Sequence, residues 1–455
     1  MWDQNLIEKY NVSGPRYTSY PTALSFNKDI KRILLIDKMM TSSVSTLSLY
    51  FHIPFCAHLC YYCACNKIVT KQQSKADEYL ELIEEEIRLK SLILNHDNKV
   101  TQLHFGGGTP TFLTVSQFQK LFEIIEQHFT LDISGNHDFS VEIDPRQVSP
   151  EQIEFLVSKG VNRISIGVQD FDLTVQKAIH RVQSLEQVTE LMSLLRQKPI
   201  DSINFDLIYG LPYQSLTNFN LTLDKVIALE PDRVSVFNYA HLPERFASQR
   251  RIALDTLPNA KLKLDLLELA TRRLLVAGYE HIGMDHFAKH DDTLAIAKSQ
   301  GCLQRNFQGY TTHAETSLIG FGCSAISDIN DTFIQNHTDM NLYKNSILNG
   351  QLPIAKGYIK NRDDKIRHDV IMQLICNLSL DINAIEASYG ISFKEYFANE
   401  VLLLQPMIDD GILNIDFTTS SYTLSVSASG RQIIRCICMV FDKHLPQRAA
   451  YSKVI

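Results

Sequence analysis

Cys56, Cys60 and Cys63 stand in the spacing C-x3-C-x2-C within the stretch from Tyr50 to Cys65, YFHIPFCAHLCYYCAC. Thiolates so spaced on a loop can converge on three irons of a cubane iron–sulfur cluster. The remaining iron then has no protein ligand, just as catalytic metal centres keep one position open. Two other chemistries fit the spacing taken alone. One is a structural zinc site, which prefers two separated C-x2-4-C knuckles, and the second knuckle is missing. The other is a closed electron-transfer cluster, in which Cys65 would supply the last ligand.

Nine cysteines in 455 residues do not make a disulfide framework. Cys302, Cys323, Cys376, Cys436 and Cys438 read as small buried hydrophobes. Cys436 and Cys438 sit two apart in a helical pattern, so they face nearly opposite ways and cannot share a metal.

Gly106-Gly107-Gly108-Thr109-Pro110 offers backbone N–H and C=O groups to a ligand with no side chains in the way. Glu142, Asp144, Gln169, Asp170 and Asp206 lie in or just after strand-like runs. Singly, each reads as a rim salt bridge. Together they make a polar mouth that suits a ligand with ribose hydroxyls and an ammonium group.

These residues need a scaffold, and the pattern supplies one. Strand-like runs end at Ile53, Phe105, Ile143, Gln169, Gly210 and Ala240, with nearly continuous apolar content. Amphipathic helices lie between them. Ala76 to Leu94 is the clearest, with Glu84, Glu85 and Glu86 expected on or beside a solvated face. Another opens at Ser149-Pro150-Glu151-Gln152 with an N-cap serine, proline at the first helical position and a capping-box glutamine. Six βα units imply an α/β fold with a parallel sheet, open and doubly wound or curled as a partial barrel, and chemistry at the carboxyl ends of the strands.

Residues 1–45 read as an N-terminal strap, 46–330 as the (β/α) barrel with an extension and 331–362 as a linker. Residues 363–455 read as a mostly helical, winged-helix-like domain, with helices over 365–378, 381–389 and 393–410, a hairpin around 415–426 and a last helix. Such modules often bind DNA, but this one has no basic excess, so a structural or lid role is expected. The formal net charge is −7, which gives no general attraction to nucleic acid or anionic membrane. No signal-peptide pattern and no long apolar run is present, so a cytoplasmic protein with no membrane contact is expected. No coiled coil is evident, and a monomer is expected.

Several long motifs carry a resemblance. HIPFC, CYYCAC, HFGGGTPT, VEIDPR, GVQDF, DLIYGLP, FNYAHLP, GMDHFA and NFQGYTT, with NVSGPRYTSYPTA over residues 11–23, resemble the oxygen-independent coproporphyrinogen III oxidase family of the radical S-adenosylmethionine superfamily. The resemblance covers nearly the whole chain. It implies a partial (β/α)6-type barrel and a 4Fe-4S cluster held by Cys56, Cys60 and Cys63, with S-adenosylmethionine on the open iron and Cys65 as a bystander. It implies two S-adenosylmethionine molecules. Tyr50, Gly107, Glu142 and Ile326 match contacts of the first. Tyr62, Gly108, Thr109, Gln169, Arg181, Asp206 and Ala240 match contacts of the second. Position 62 is often Phe in relatives, and Tyr keeps the aromatic face. The implied reaction converts two propionates of coproporphyrinogen III to vinyl groups, giving protoporphyrinogen IX in haem synthesis, with an unidentified electron donor and acceptor.

Arg16 is the candidate to meet a substrate propionate, on a segment that closes over the site; the alternative is a strap on the barrel. His52 reads equally as a ligand-side contact or a satisfied core histidine. Two other functions compete. A haem-binding chaperone of this superfamily lacks the N-terminal stretch, Cys65 and the NFQGYTT segment, all present here. The other is a radical enzyme with a different substrate.

Overall fold

The computed structural model describes residues 4–41, 46–94, 98–313, 316–418 and 421–446. They form two compact units. A sheet unit comprises Phe26–Leu262 and Glu315–Ile359, and a terminal unit comprises Met1–Ser25, Lys263–Ala314 and Lys360–Ile455.

In the sheet unit the six expected strands form: β1 Thr46–Ile53, β2 Lys99–Gly107, β3 Asp138–Ile143, β4 Arg163–Gln169, β5 Ser202–Tyr209 and β6 Arg233–Asn238. Each pairs in parallel with its sequence neighbour. The order therefore runs 6-5-4-3-2-1 without a reversal. A doubly wound sheet needs a reversal, and right-handed crossovers of constant direction place all helices on one face. Of the two architectures open in the sequence, the partial barrel is the one that forms. Its crossover helices are α1 Ser74–Ser91, α2 Val115–His128, α3 Pro150–Ser158, α4 Leu185–Leu195 and α5 Leu216–Ala228. The capping box expected at Ser149 and Gln152 is present, and Thr114–Gln117, Ser184–Gln187 and Ser215–Asn218 make the same box on α2, α4 and α5.

Strand alternation sorts the side chains. Phe51 and Phe105 face the helices, with Phe51 stacking on Phe105 at 5.5 Å and on Phe321 at 4.9 Å, and Phe105 meeting Phe122 of α2 at 5.5 Å. Tyr50, His52 and His104 therefore face the inside of the barrel.

The 331–362 linker is a correction. A seventh parallel strand, β7 Ser317–Phe321, pairs with β1, and β8 Ile326–Ile329, β9 Thr332–Asn336 and β10 Ile354–Ile359 extend the sheet antiparallel. A helix at Met340–Leu348, N-capped by Asp339, joins the last two. Within 331–362 the polar, turn-rich composition around the two short strands Thr332–Asn336 and Ile354–Ile359 hides them.

Glu86 is also corrected: it is fully buried and paired with buried Lys90 at 2.7 Å. It accepts from Gly322 N (2.7 Å), Asn336 Nδ2 (2.7 Å) and Tyr343 Oη (2.6 Å). Cys323, Cys376, Cys436 and Cys438 are buried as expected, but Cys302 is exposed.

The N-terminal strap does not act as one piece. Residues 4–25 belong to the terminal unit, whereas the helix Arg32–Met40 belongs to the sheet unit and buries Leu35 and Met39. Residues 1–3 and 42–45 of that expectation lie outside the described residues. Residues 263–313 likewise group with the terminal unit. There Arg435 donates to Pro15 O at 2.7 Å, and Tyr17, 1% exposed, donates to Asp442 at 3.0 Å. The winged-helix-like pattern forms from Arg362–Asn377, Ile382–Tyr389 and Ala398–Asp409. A three-stranded sheet of Ser379–Asp381, Leu413–Thr418 and Ser421–Val426 completes it. The single helix expected over 393–410 breaks at Phe397, and the last helix shrinks to a 3-10 turn plus Ile434–Val440.

Candidate active site

The cysteine loop leaves the carboxyl end of β1. Phe55–Cys56 pairs in parallel with Ile68–Val69, which closes the loop on itself. Lys67 Nζ and Gln249 Nε2 donate to the carbonyls of Cys63 (3.0 Å) and Tyr62 (2.9 Å). His180 Nδ1 lies 2.7 Å from Leu59 O and stacks on Tyr61 at 4.9 Å.

Each of the three thiols has its own neighbours. Thr109 Oγ1 donates to Cys56 Sγ at 3.5 Å. Cys60 Sγ accepts from Arg146 Nη2 at 3.7 Å and Arg181 Nη1 at 3.6 Å. Asp144 holds both arginines, at 2.6 Å and 2.9 Å. Burial works against the Asp144 charge, but Arg181 and Arg146 outweigh it and hold the carboxyl below its usual range. The Cys63 thiol is lowered to about 6, chiefly by a hydrogen bond from Cys65, with Lys67 adding to it against burial. Burial pushes Cys56 up to about 11. Among the described residues no three of His, Cys, Asp and Glu close on a single metal ion. The thiols are strung along the loop, Cys56 at Thr109 and Cys60 at the two arginines.

The glycine turn lies against this loop. Gly108 N donates to Ile53 O and Thr109 N to Phe55 O, both at 2.8 Å. A Cβ on Gly108 would meet the backbone of Pro54 and Phe55 at 2.8 Å. Gly107, at φ +113°, adopts a backbone that side-chain-bearing residues avoid. Its N–H points at Glu142 Oε2 (3.2 Å), while His104 Nε2 lies 3.2 Å from Oε1. Burial opposes the Glu142 charge, but these contacts exceed it, so the carboxyl is held below its usual range.

His52 is a satisfied histidine. Its Nε2 donates to Asn66 O at 2.9 Å, so its Nδ1 accepts from Tyr50 Oη at 3.1 Å. Burial lowers its pKa, which keeps it neutral. Tyr50 stacks on His104 at 5.7 Å, its cross-strand partner.

Beyond β3 the inner face is a polar ladder. Ser165 donates to Asp206 at 2.8 Å, Asn204 to both, and Ser235 to Asn204 at 3.1 Å. Burial, with the Glu142 charge adding, pushes the Asp206 carboxyl up to about 6. Gln169 ends β4 at φ +66°, beside a bulge, a strained backbone of the kind found at ligand sites. Arg181, 6% exposed, also donates to Gly167 O at 2.7 Å. Tyr62 packs at the edge of a cluster of Val175, Ile179, Ile208, Leu211, Tyr239 and Ile252. Ala240 is the second residue past β6, and Ile326 opens β8.

Asp170 is a correction to the polar mouth. It is fully buried and accepts from Thr222 (2.6 Å), Gln214 (2.7 Å) and Asp172 N (2.7 Å), tying α5 to the sheet. The left-handed turn at Gln169 sends it out of the strand's alternation. Arg16, the expected substrate contact, lies in the terminal unit in an ion pair with Asp285. Sequence reasoning missed Arg146, Lys67, His104 and Gln249. The two-residue alternation of β2 and β3 was the available signal for His104 alone.

Residues 50–226 match the family model described as Radical SAM superfamily, and residues 361–424 match HemN C-terminal domain. The oxygen-independent coproporphyrinogen III oxidase of Pseudomonas aeruginosa is 48% identical over 458 residues, 100% of this chain and 99% of its own. The chain belongs to the oxygen-independent coproporphyrinogen III oxidase family. The Escherichia coli member is 45% identical over 100% of this chain and 98% of its own. The solved E. coli coproporphyrinogen III oxidase (HemN), described as a radical SAM enzyme, has TM-score 0.92 and 44% identity, covering 98% of this chain and 99% of that one.

The oxidase family, as radical SAM proteins, uses a 4Fe-4S cluster and S-adenosylmethionine, and the residues present fit both. Three thiols sit on one loop, Cys56 beside Thr109, Cys60 beside Arg146 and Arg181, and Cys63 beside Cys65. A turn that must be glycine, a carboxylate held in its charged form and a polar ladder lie beside them.

Proposed function

We infer that this chain oxidatively decarboxylates two propionates of coproporphyrinogen III to vinyl groups, giving protoporphyrinogen IX. Each propionate loses CO2, a hydrogen atom and one electron, and a separate partner takes the electron. When bound, the cluster supplies the electron that splits S-adenosylmethionine, and the split generates the hydrogen acceptor. In this reading Cys56, Cys60 and Cys63 hold the cluster, and Cys65 orients Cys63 without ligating.

Tyr50, Gly107, Glu142 and Ile326 hold the first S-adenosylmethionine. Charged Glu142 suits a cationic ligand. His52 fixes the Tyr50 hydroxyl, and His104 stacks on its ring. Tyr62, Gly108, Thr109, Gln169, Arg181, Asp206 and Ala240 hold the second. The Asp206 ladder suits ribose hydroxyls, and Arg181 suits a carboxylate. Fixing both molecules against the substrate supplies near-attack geometry, and a water-free barrel interior protects the reactive species. The enzyme works as a cytoplasmic monomer with an external electron donor.

The observation that supports this reading best is the loop of Cys56, Cys60 and Cys63 after β1, with Cys56 against Thr109 of the glycine turn and the Gly107 N–H of that turn on Glu142. The test is anaerobic turnover with coproporphyrinogen III, S-adenosylmethionine and a reductant. Vinyl products and CO2 are expected. Haem binding without turnover, or 5'-deoxyadenosine without vinyl product, would contradict this reading.

A further inference from the structure

Three family-like motifs take no part in the cluster or its neighbours: GPRY around Arg16, GMDHFA at 283–288 and NFQGYTT at 306–312. In the terminal unit they converge. Arg16 pairs with Asp285, whose other oxygen lies 2.9 Å from His286 Nδ1. Tyr310 meets His286 edge-on at 5.2 Å, and Arg305 lies over the Tyr310 ring at 4.5 Å. Asp285 is thus engaged twice already.

Arg305 is 8% exposed. Its Nε and Nη1, and Gln308 Nε2, are buried with no acceptor among the described residues. A guanidinium this buried normally finds an anion, because leaving its donors unpaired costs more than ordinary hydrogen bonds return. Asp285 is the carboxylate that Arg16 pairs with. The tyrosine ring covers one face of Arg305 and offers no acceptor in its plane.

We propose that Arg305, with Gln308 beside it on the 304–311 hairpin, is a carboxylate-binding subsite that takes a propionate of the substrate. This rests on the reading of the substrate as a tetracarboxylate. Arg16, the residue the sequence singles out, is already held by Asp285. A carboxylate matches a planar guanidinium better than other acceptors do, and lysine cannot substitute fully.

The test is binding of coproporphyrin III, the stable oxidised form with every carboxylate intact, to the cluster-loaded full chain, followed by fluorescence. R305M is expected to weaken binding about tenfold or more, with R305K in between. In turnover, KM for coproporphyrinogen III should rise in step while KM for S-adenosylmethionine stays fixed. Equal porphyrin affinity in wild type and R305M, at unchanged iron content, overturns the proposal. So does inorganic phosphate that raises the melting temperature of wild type but not R305M while porphyrin affinity stays equal; the site then takes a free anion. Where R305M does not fold, Q308E must weaken porphyrin binding, and no effect overturns the proposal. Porphyrin binding through Arg305 with no vinyl product from wild type refutes the decarboxylase reading and leaves this subsite standing.

Discussion

Cys60 has the most unusual surroundings of the three thiols, with Arg146 and Arg181 both donating to it and Asp144 holding both in place. Hydrogen bonds and positive charge at a cluster sulfur favour the reduced state. Replacing Arg146 by Met removes one donor and one charge. The reduction potential should fall, checked by a redox titration followed by electron paramagnetic resonance. A tenfold drop in the reduced-to-oxidised ratio corresponds to about 59 mV for one electron. An unchanged potential would make Arg146 a purely structural partner of Asp144. The cysteines were legible at this scale because their spacing is local. Arg146 was not, because its role depends on a loop brought from another strand.

The elements show a similar division. The six parallel strands and their helices follow from local apolar runs and capping boxes, which are written in consecutive residues. The strands β7 to β10 were not legible, since runs this short are too brief to set a periodicity. Glu86 was misread because one acidic residue in a run of three looks solvated, yet it turns inward to bind the β7–β8 turn. Glu86→Ala leaves Lys90, 3% exposed, without its carboxylate. Breaking a buried pair on one side costs about 3–5 kcal/mol. The denaturant midpoint of the sheet unit should fall accordingly. Little change would mean that Lys90 finds another partner, such as Gly320 O, to which it already donates.

At the scale of the whole molecule, the chain crosses between its two units more than once. The N-terminal residues are built into the terminal unit with residues 263–313 and the C-terminal module. Local pattern cannot reveal such discontinuous units, which is why a single strap, barrel and linker were read from it. Deleting residues 1–23 removes the buried Tyr17 and Tyr20 and the carbonyl partner of Arg435. The deletion should lower the thermal midpoint of the terminal unit, measured by calorimetry. Lost turnover in that variant would thus report stability as well as any closing role. An unchanged midpoint would mean that these contacts are marginal.

The central claim is that Cys56, Cys60 and Cys63 hold a cluster with one iron open to S-adenosylmethionine. Electron paramagnetic resonance of the reduced, reconstituted protein tests it most directly, with and without S-adenosylmethionine, in wild type, Cys65→Ser and Cys60→Ser. Wild type and Cys65→Ser should both give a 4Fe-4S signal that changes when S-adenosylmethionine is added, and Cys60→Ser should give none. A cluster lost in Cys65→Ser, or a wild-type signal indifferent to S-adenosylmethionine, would contradict the claim.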